Sequence, residues 1–233
     1  MTHHSTGARA AAFAVHAFTA SGALCGVLSL LAIQRGDWRT CLLWGVVAVF
    51  IDGVDGGFAR LARVKEVLPN FDGALLDNIV DYLNYVIVPA MLIHSAGVLP
   101  HGTELLAVSC MALSSAYQFC QADAKTADHY FKGFPSYWNV VGFYVLVLSL
   151  SAWVNLALIV ALAILVFVPI KYLYPSRASK LRRTTLVLTV LWCGLVAWMV
   201  WAYPAVDRWM VGVSLLYVGY YVGASVYCTQ IAA

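Results

Sequence analysis

Long apolar stretches separated by short polar ones run along the whole chain and predict its architecture before any single residue is considered. Eight of them, at 11–34, 41–61, 73–97, 105–121, 138–151, 154–170, 184–202 and 208–228, are long enough, or nearly so, to cross a hydrocarbon core as a helix. They are continuous rather than alternating, which predicts helices and not barrel strands. The fifth is short, so two arrangements stay open: an independent span, or fusion with the sixth into one long tilted helix. Basic residues divide unequally between the connections. With eight spans and both termini on one side, that side holds Arg9, Arg60, Arg63, Lys65, Lys125, Lys132, Lys171, Arg177, Lys180, Arg182 and Arg183. The other side keeps Arg35, Arg39 and Arg208. The basic side is predicted to be cytoplasmic.

Composition agrees with this picture. The chain has 233 residues, 62% hydrophobic and 11% charged, against about 25% charged in a soluble domain. A single integral membrane domain over residues 1–233 is expected. Cys25, Cys41, Cys110, Cys120, Cys193 and Cys228 lie in apolar runs without C-x-x-C spacing, which points to free thiols rather than to disulfides or zinc. The first apolar run is long enough to span and lacks a cleavage site, so no cleavable signal peptide is expected.

Against that background four acids stand out. Asp52 and Asp55 lie in the second apolar stretch, Asp77 and Asp81 in the third. An ionised Asp near the bilayer centre costs roughly 2.5–3.5 kcal/mol, so four unpaired ones would cost on the order of 10 kcal/mol. The nearby bases are Arg60, Arg63 and Lys65. A divalent metal is the simplest source of the missing positive charge. On a helix, Asp52, Asp55, Gly56, Ala59 and Arg60 fall within roughly 140° of one face, while Val54 and Phe58 point the other way. Gly73, Asp77 and Asp81 form a second stripe at i, i+4, i+8. Two antiparallel helices would bring the stripes together. All-carboxylate ligation suits Mg²⁺ or Mn²⁺, and a pair of such ions suits phosphoryl displacement. Pairing of the acids with Arg60, Arg63 and Lys65, and a cation pathway in a transporter, are the alternatives. Four acids exceed the bases available for pairing, and a cation pathway does not explain why small residues accompany the acids.

The pattern D-x-x-D-G-x-x-A-R…G-x-x-x-D-x-x-x-D, carried by Asp52, Asp55, Gly56, Ala59, Arg60, Gly73, Asp77 and Asp81, resembles the signature of the CDP-alcohol phosphatidyltransferases. Twelve residues separate Arg60 from Gly73, more than is usual in that family. The stretch from Ala59 to Gly73, then Val80-Asp81-Tyr82, Tyr85-Val-Ile-Val-Pro89-Ala90 and Phe131-Lys-Gly-Phe-Pro-Ser-Tyr-Trp138-Asn139, is similar to the bacterial phosphatidylcholine synthases. The resemblance implies a six-helix catalytic core over 11–170 with two additional helices over 184–228, working as a homodimer in the inner membrane. It implies transfer of a phosphatidyl group from CDP-diacylglycerol to choline with release of CMP. Serine, inositol or another alcohol as acceptor is the runner-up.

Carried over by position, the resemblance makes Asp52, Asp55 and Asp77 metal ligands. Asp81 becomes general base and contributes to a second ion, with Mn²⁺ or Mg²⁺ as cofactor. Asp55, Gly56, Ala59, Arg60 and Gly73 would hold CDP-diacylglycerol. Arg177 and Lys180, just beyond Pro175, are candidates for its lipid phosphate. A quaternary ammonium donates no hydrogen bonds and is held by aromatic faces, which brings in Tyr85, Trp138 and Tyr82 from the cytoplasmic side. Most of the 8 Trp and 13 Tyr are nevertheless interfacial or packing residues. Asn78 and Asn84 are expected to bond between helices. Glu66 and Asp72 are expected to be solvated loop positions, and a proton-relay role for His129 beside Asp128 is a minor candidate.

Overall fold

The computed structural model describes residues 5–124, 126, 130–174 and 182–231. Every predicted span is helical. α1 covers Thr6–Gln34 and α2 covers Trp38–Leu61, followed by a single turn, α3, at Val64–Val67. α4 (Gly73–Tyr82) passes through a π turn at Leu83–Ile87 into α5 (Val88–Ser95). Then come α6 (Glu104–Cys120), α7 (Trp138–Leu148), α8 (Ala152–Leu165), α9 (Arg182–Ala202) and α10 (Arg208–Ile231). Short polar side chains set several starts: Ser5, Asp37, Asp72 and Ser151 each accept a backbone N–H from the first turn they precede. Hydrogen bonds with Thr40 hold the Asp37 carboxyl below its ordinary value.

Among the described residues, five helical segments are long and apolar enough to cross a membrane, and large apolar side chains such as Leu105, Leu113, Trp153 and Leu216 point outward. The chain is an all-α integral membrane protein. The open question about the fifth span resolves as two helices. Ser149 adopts a left-handed conformation at φ 49°, and Ser151 caps α8 through the Val154 N–H. With 11 and 14 residues, α7 and α8 reach about 16 and 21 Å, short of the roughly 30 Å core. The third span is not one continuous α-helix. Pro89 has no N–H to give the Tyr85 carbonyl, and the Val88 N–H instead reaches the Leu83 carbonyl, one residue beyond α spacing.

α1 is the central strut. A Cβ on Gly22 would lie 2.7 Å from Val80 Cγ1, and one on Gly26 would lie 2.7 Å from Leu83 Cδ2. The Gly22-x-x-x-Gly26 pair therefore lets α1 seat directly on α4 and the π turn. The twelve residues between Arg60 and Gly73 are taken up by α3, whose Val64 and Val67 pack with Leu68 on Ala12 of α1. A larger core joins α5, α6, α7 and α8 around Ile93, Met111, Trp138 and Ile159.

At one end of the bundle two three-residue strands, β1 (Tyr130–Lys132) and β2 (Lys171–Leu173), pair antiparallel with Phe131 opposite Tyr172. No expectation from the sequence included them. Gly133 follows β1 at φ 77°, and a Cβ there would drive into the Val166 carbonyl oxygen, so the turn requires glycine. An exposed ion pair, Lys132 to Asp123 at 2.7 Å, steadies the approach to β1. The shared hydrogen bond lowers the Asp123 pKa and raises that of Lys132.

Candidate active site

α2 carries Asp52 and Asp55 in its last three turns and Arg60 at its end, while α4 places Asp77 one turn and Asp81 two turns after its start. One carboxylate oxygen from each of Asp52, Asp55 and Asp77 lies within 4.8 Å of the others. Oxygens bound to one hard divalent ion at 2.0–2.6 Å lie at most roughly 5 Å apart, so this donor set fits such an ion. A cavity of about 10 Å³ lies among Thr19, Asp52, Asp55, Asp77, Asp81 and Tyr85, room for one water-sized body.

Neighbouring helices orient these acids. The Thr19 hydroxyl on α1 donates to Asp55 Oδ2 at 2.8 Å, and Asp55 is buried. The Tyr85 hydroxyl on the π turn donates to Asp52 Oδ2 at 2.7 Å. Hydrogen bonds of this kind fix ligand orientation. Asn84 donates to the Gly22 and Val80 carbonyls, both at 2.9 Å, which is the helix-to-helix bonding expected of it. Thr19 was not singled out from the sequence. The signal that points to it is its place one turn before Gly22, on the face that the glycine pair presses against α4.

The accompanying small residues do different things. The Arg60 guanidinium folds back along α2, with Nη1 3.4 Å from where a Cβ on Gly56 would be, so Gly56 clears room for it. Ala59 packs beside Ala12 and α3. Gly73 lies under the His16 ring, where a Cβ would meet Cε1 at 2.8 Å. His16 is in turn stacked at 4.2 Å on Phe71. Among the loop acids, Asp72 accepts from the Ala74 and Leu75 N–H groups, and Glu66 pairs at 3.8 Å with Arg63.

Of the three aromatics expected at choline, Tyr85 alone lines the cavity. Tyr82 turns to α6, donating to the Ala112 carbonyl at 2.9 Å with its ring edge-on to Phe119. Trp138 is fully buried, and its indole N–H donates to Ser115 at 2.7 Å. A helix-mouth position reads identically in sequence whether the ring faces a ligand or the core. Arg177, Lys180, Asp128 and His129 lie outside the described residues. Phe58 and Leu61 on α2, and Leu75 and Ile79 on α4, are large apolar side chains turned outward from the two helices that carry the acids.

A helical membrane body that gathers carboxylates from two successive helices, with an arginine folded over a glycine beside them, has the architecture of a CDP-alcohol phosphatidyltransferase. No family model matches the chain. It is 46% identical over 226 residues to a phosphatidylcholine synthase of Legionella pneumophila, covering 94% of this chain and 89% of the relative. A phosphatidylcholine synthase of Legionella bozemanae is 41% identical over 211 residues, covering 88% of this chain and 97% of the relative. One from Pseudomonas aeruginosa is also 41% identical, over 215 residues, with 92% and 90% covered. The chain belongs to the bacterial phosphatidylcholine synthase family.

Proposed function

We propose that the chain transfers the phosphatidyl group of CDP-diacylglycerol to choline and releases CMP. The observation that carries this reading is the convergence of Asp52, Asp55 and Asp77 within 4.8 Å, in a chain of this family. These three acids, with Asp81, would hold Mn²⁺, or Mg²⁺ in its place, as the pair of ions that suits phosphoryl displacement. When bound, the metal supplies positive charge to the phosphoryl oxygens and to the departing nucleotide. Asp81, one turn beyond Asp77, accepts the proton of the choline hydroxyl. The choline oxygen then bonds to the phosphorus that bears diacylglycerol, as the bond from that phosphorus to the CMP oxygen breaks. Arg60 offers its N–H fork to the nucleotide phosphates, with Gly56, Ala59 and Gly73 shaping the approach. Arg177 and Lys180 would meet the lipid phosphate.

The excess of basic residues beside Arg60 supports an inner-membrane protein with its site facing the cytoplasm. The division into core helices at 11–170 and additional helices at 184–228, and a homodimeric assembly, belong to the same reading.

The test is CMP release by the purified protein in mixed micelles with CDP-diacylglycerol and Mn²⁺. Choline, serine, inositol and no acceptor are compared, for wild type and Asp81→Asn. Choline-dependent release that the substitution abolishes is expected. Release with serine or inositol instead would remove choline from the assignment, and no release by folded protein would remove the transferase.

A further inference from the structure

The carboxylate site does not account for α9 and α10, yet α10 is fastened to the bundle end by a specific set of bonds. The Lys171 N–H donates to Thr229 Oγ1 at 2.8 Å, the Leu173 N–H donates to Ser225 Oγ at 3.1 Å, and the Tyr221 hydroxyl donates to the Leu173 carbonyl at 2.9 Å. Tyr221, Ser225 and Thr229 stand at i, i+4 and i+8, so one face of α10 closes the edge of β2. Farther along α10, Ser214 accepts from the Tyr144 hydroxyl on α7 at 2.9 Å, fixing the helix at a second level.

This lacing carries the Tyr221 ring to 6.3 Å from that of Tyr137 and 6.5 Å from that of Tyr172. Tyr137, the residue before α7, lies 6.2 Å from Phe131 between ring centres. Tyr137 directly precedes α7, which packs against the π turn that carries Tyr85, and the Tyr85 hydroxyl rests on Asp52. The rings of Tyr85, Tyr137 and Tyr221 thus lead from the carboxylates to the last helix, and each retains some exposed surface.

We propose that Tyr137 and Tyr221, with Tyr85 at the carboxylate end, form the enclosure for the acceptor's quaternary ammonium, so that the last helix supplies part of the acceptor site. The inference rests on the choline reading above. A cation is attracted within about 6 Å of a ring centre, and two centres 6.3 Å apart allow one ammonium group to satisfy both. The hydroxyls of Tyr85 and Tyr221 already donate, to Asp52 and to Leu173. That leaves ring surface to meet the acceptor, which suits an N-methylated cation and not a polyol or an amino acid.

The wild-type acceptor assay comes first: release with serine or inositol and not choline would overturn the functional reading, and this inference with it. Given choline use, Tyr137→Leu and Tyr221→Leu are expected to raise the choline KM roughly 2- to 30-fold each, with the KM for CDP-diacylglycerol and the Mn²⁺ dependence unmoved. The preference for choline over dimethylaminoethanol and ethanolamine should narrow in step. Tyr137→Phe keeps the ring and should keep the choline KM. An unchanged choline KM and preference in both Leu variants would overturn the proposal while leaving the activity assigned. If a Leu variant does not fold, Tyr137→Phe decides: a choline KM raised by loss of that hydroxyl would overturn the proposal equally.

Discussion

Asp55 is steadied by a hydroxyl on a helix that carries no acid of its own. Thr19→Val keeps the shape of the side chain and removes a hydrogen bond to a charged acceptor, a bond worth about 1.5–3 kcal/mol. Loss of such an orienting contact weakens metal binding about 10-fold or more. The half-saturating Mn²⁺ concentration for CMP release is therefore expected to rise at least that much, with protein yield and choline KM retained. An unchanged Mn²⁺ titration would remove Thr19 from the site. At this scale the four aspartates were legible because helical repeat alone turns their spacing into two stripes. Thr19 was not, because its partner is 36 residues away and nothing in its own neighbourhood distinguishes it from other small polar residues in membrane helices. Tyr82 and Trp138 show the converse: their positions near the motif were plain, but which way a ring turns depends on packing with Ala112, Phe119 and Ser115.

At the scale of elements, apolar run length located every long helix, though not the single turn of α3, since a membrane leaves the backbone few other options. Interruptions were harder to see. The π turn follows from Pro89 but also needs α1 against it at Gly26, a contact between segments distant in sequence. The β1–β2 ribbon left no pattern at all, because strands of three residues are too short to show alternation. Its dependence on Gly133 is testable. Gly133→Ala puts a methyl group into the Val166 carbonyl and asks alanine to hold φ 77°. The expected loss is about 2 kcal/mol or more, read as a lowered midpoint of thermal unfolding in detergent. Equal midpoints would mean that the turn can relax. The same substitution at Gly102, φ 85° with no neighbouring atom within 4 Å, separates the backbone effect from the collision.

For the molecule as a whole, the eight helical spans and the meeting of two Asp stripes follow from composition and periodicity, whereas the attachment of α10 to β2 does not. Hydroxyls of Tyr221, Ser225 and Thr229 bonding to a strand edge require the fold to be known first. One feature of the exterior also governs how turnover is measured. The two helices that carry the acids also turn Phe58, Leu61, Leu75 and Ile79 outward to the apolar surroundings, so acyl chains need not leave the bilayer for the headgroup to reach the acids. Withdrawing a lipid would cost about 0.8 kcal/mol per methylene, on the order of 25 kcal/mol for two long chains. The lipid substrate is thereby supplied in two dimensions and its effective concentration is a mole fraction. Adding detergent at constant total CDP-diacylglycerol should slow CMP release, while enlarging the micelle pool at constant mole fraction should not; rates that followed bulk concentration instead would contradict this. Choline and CMP exchange with water in three dimensions, so the enzyme couples a surface reagent to a solution reagent, and each obeys its own law of dilution.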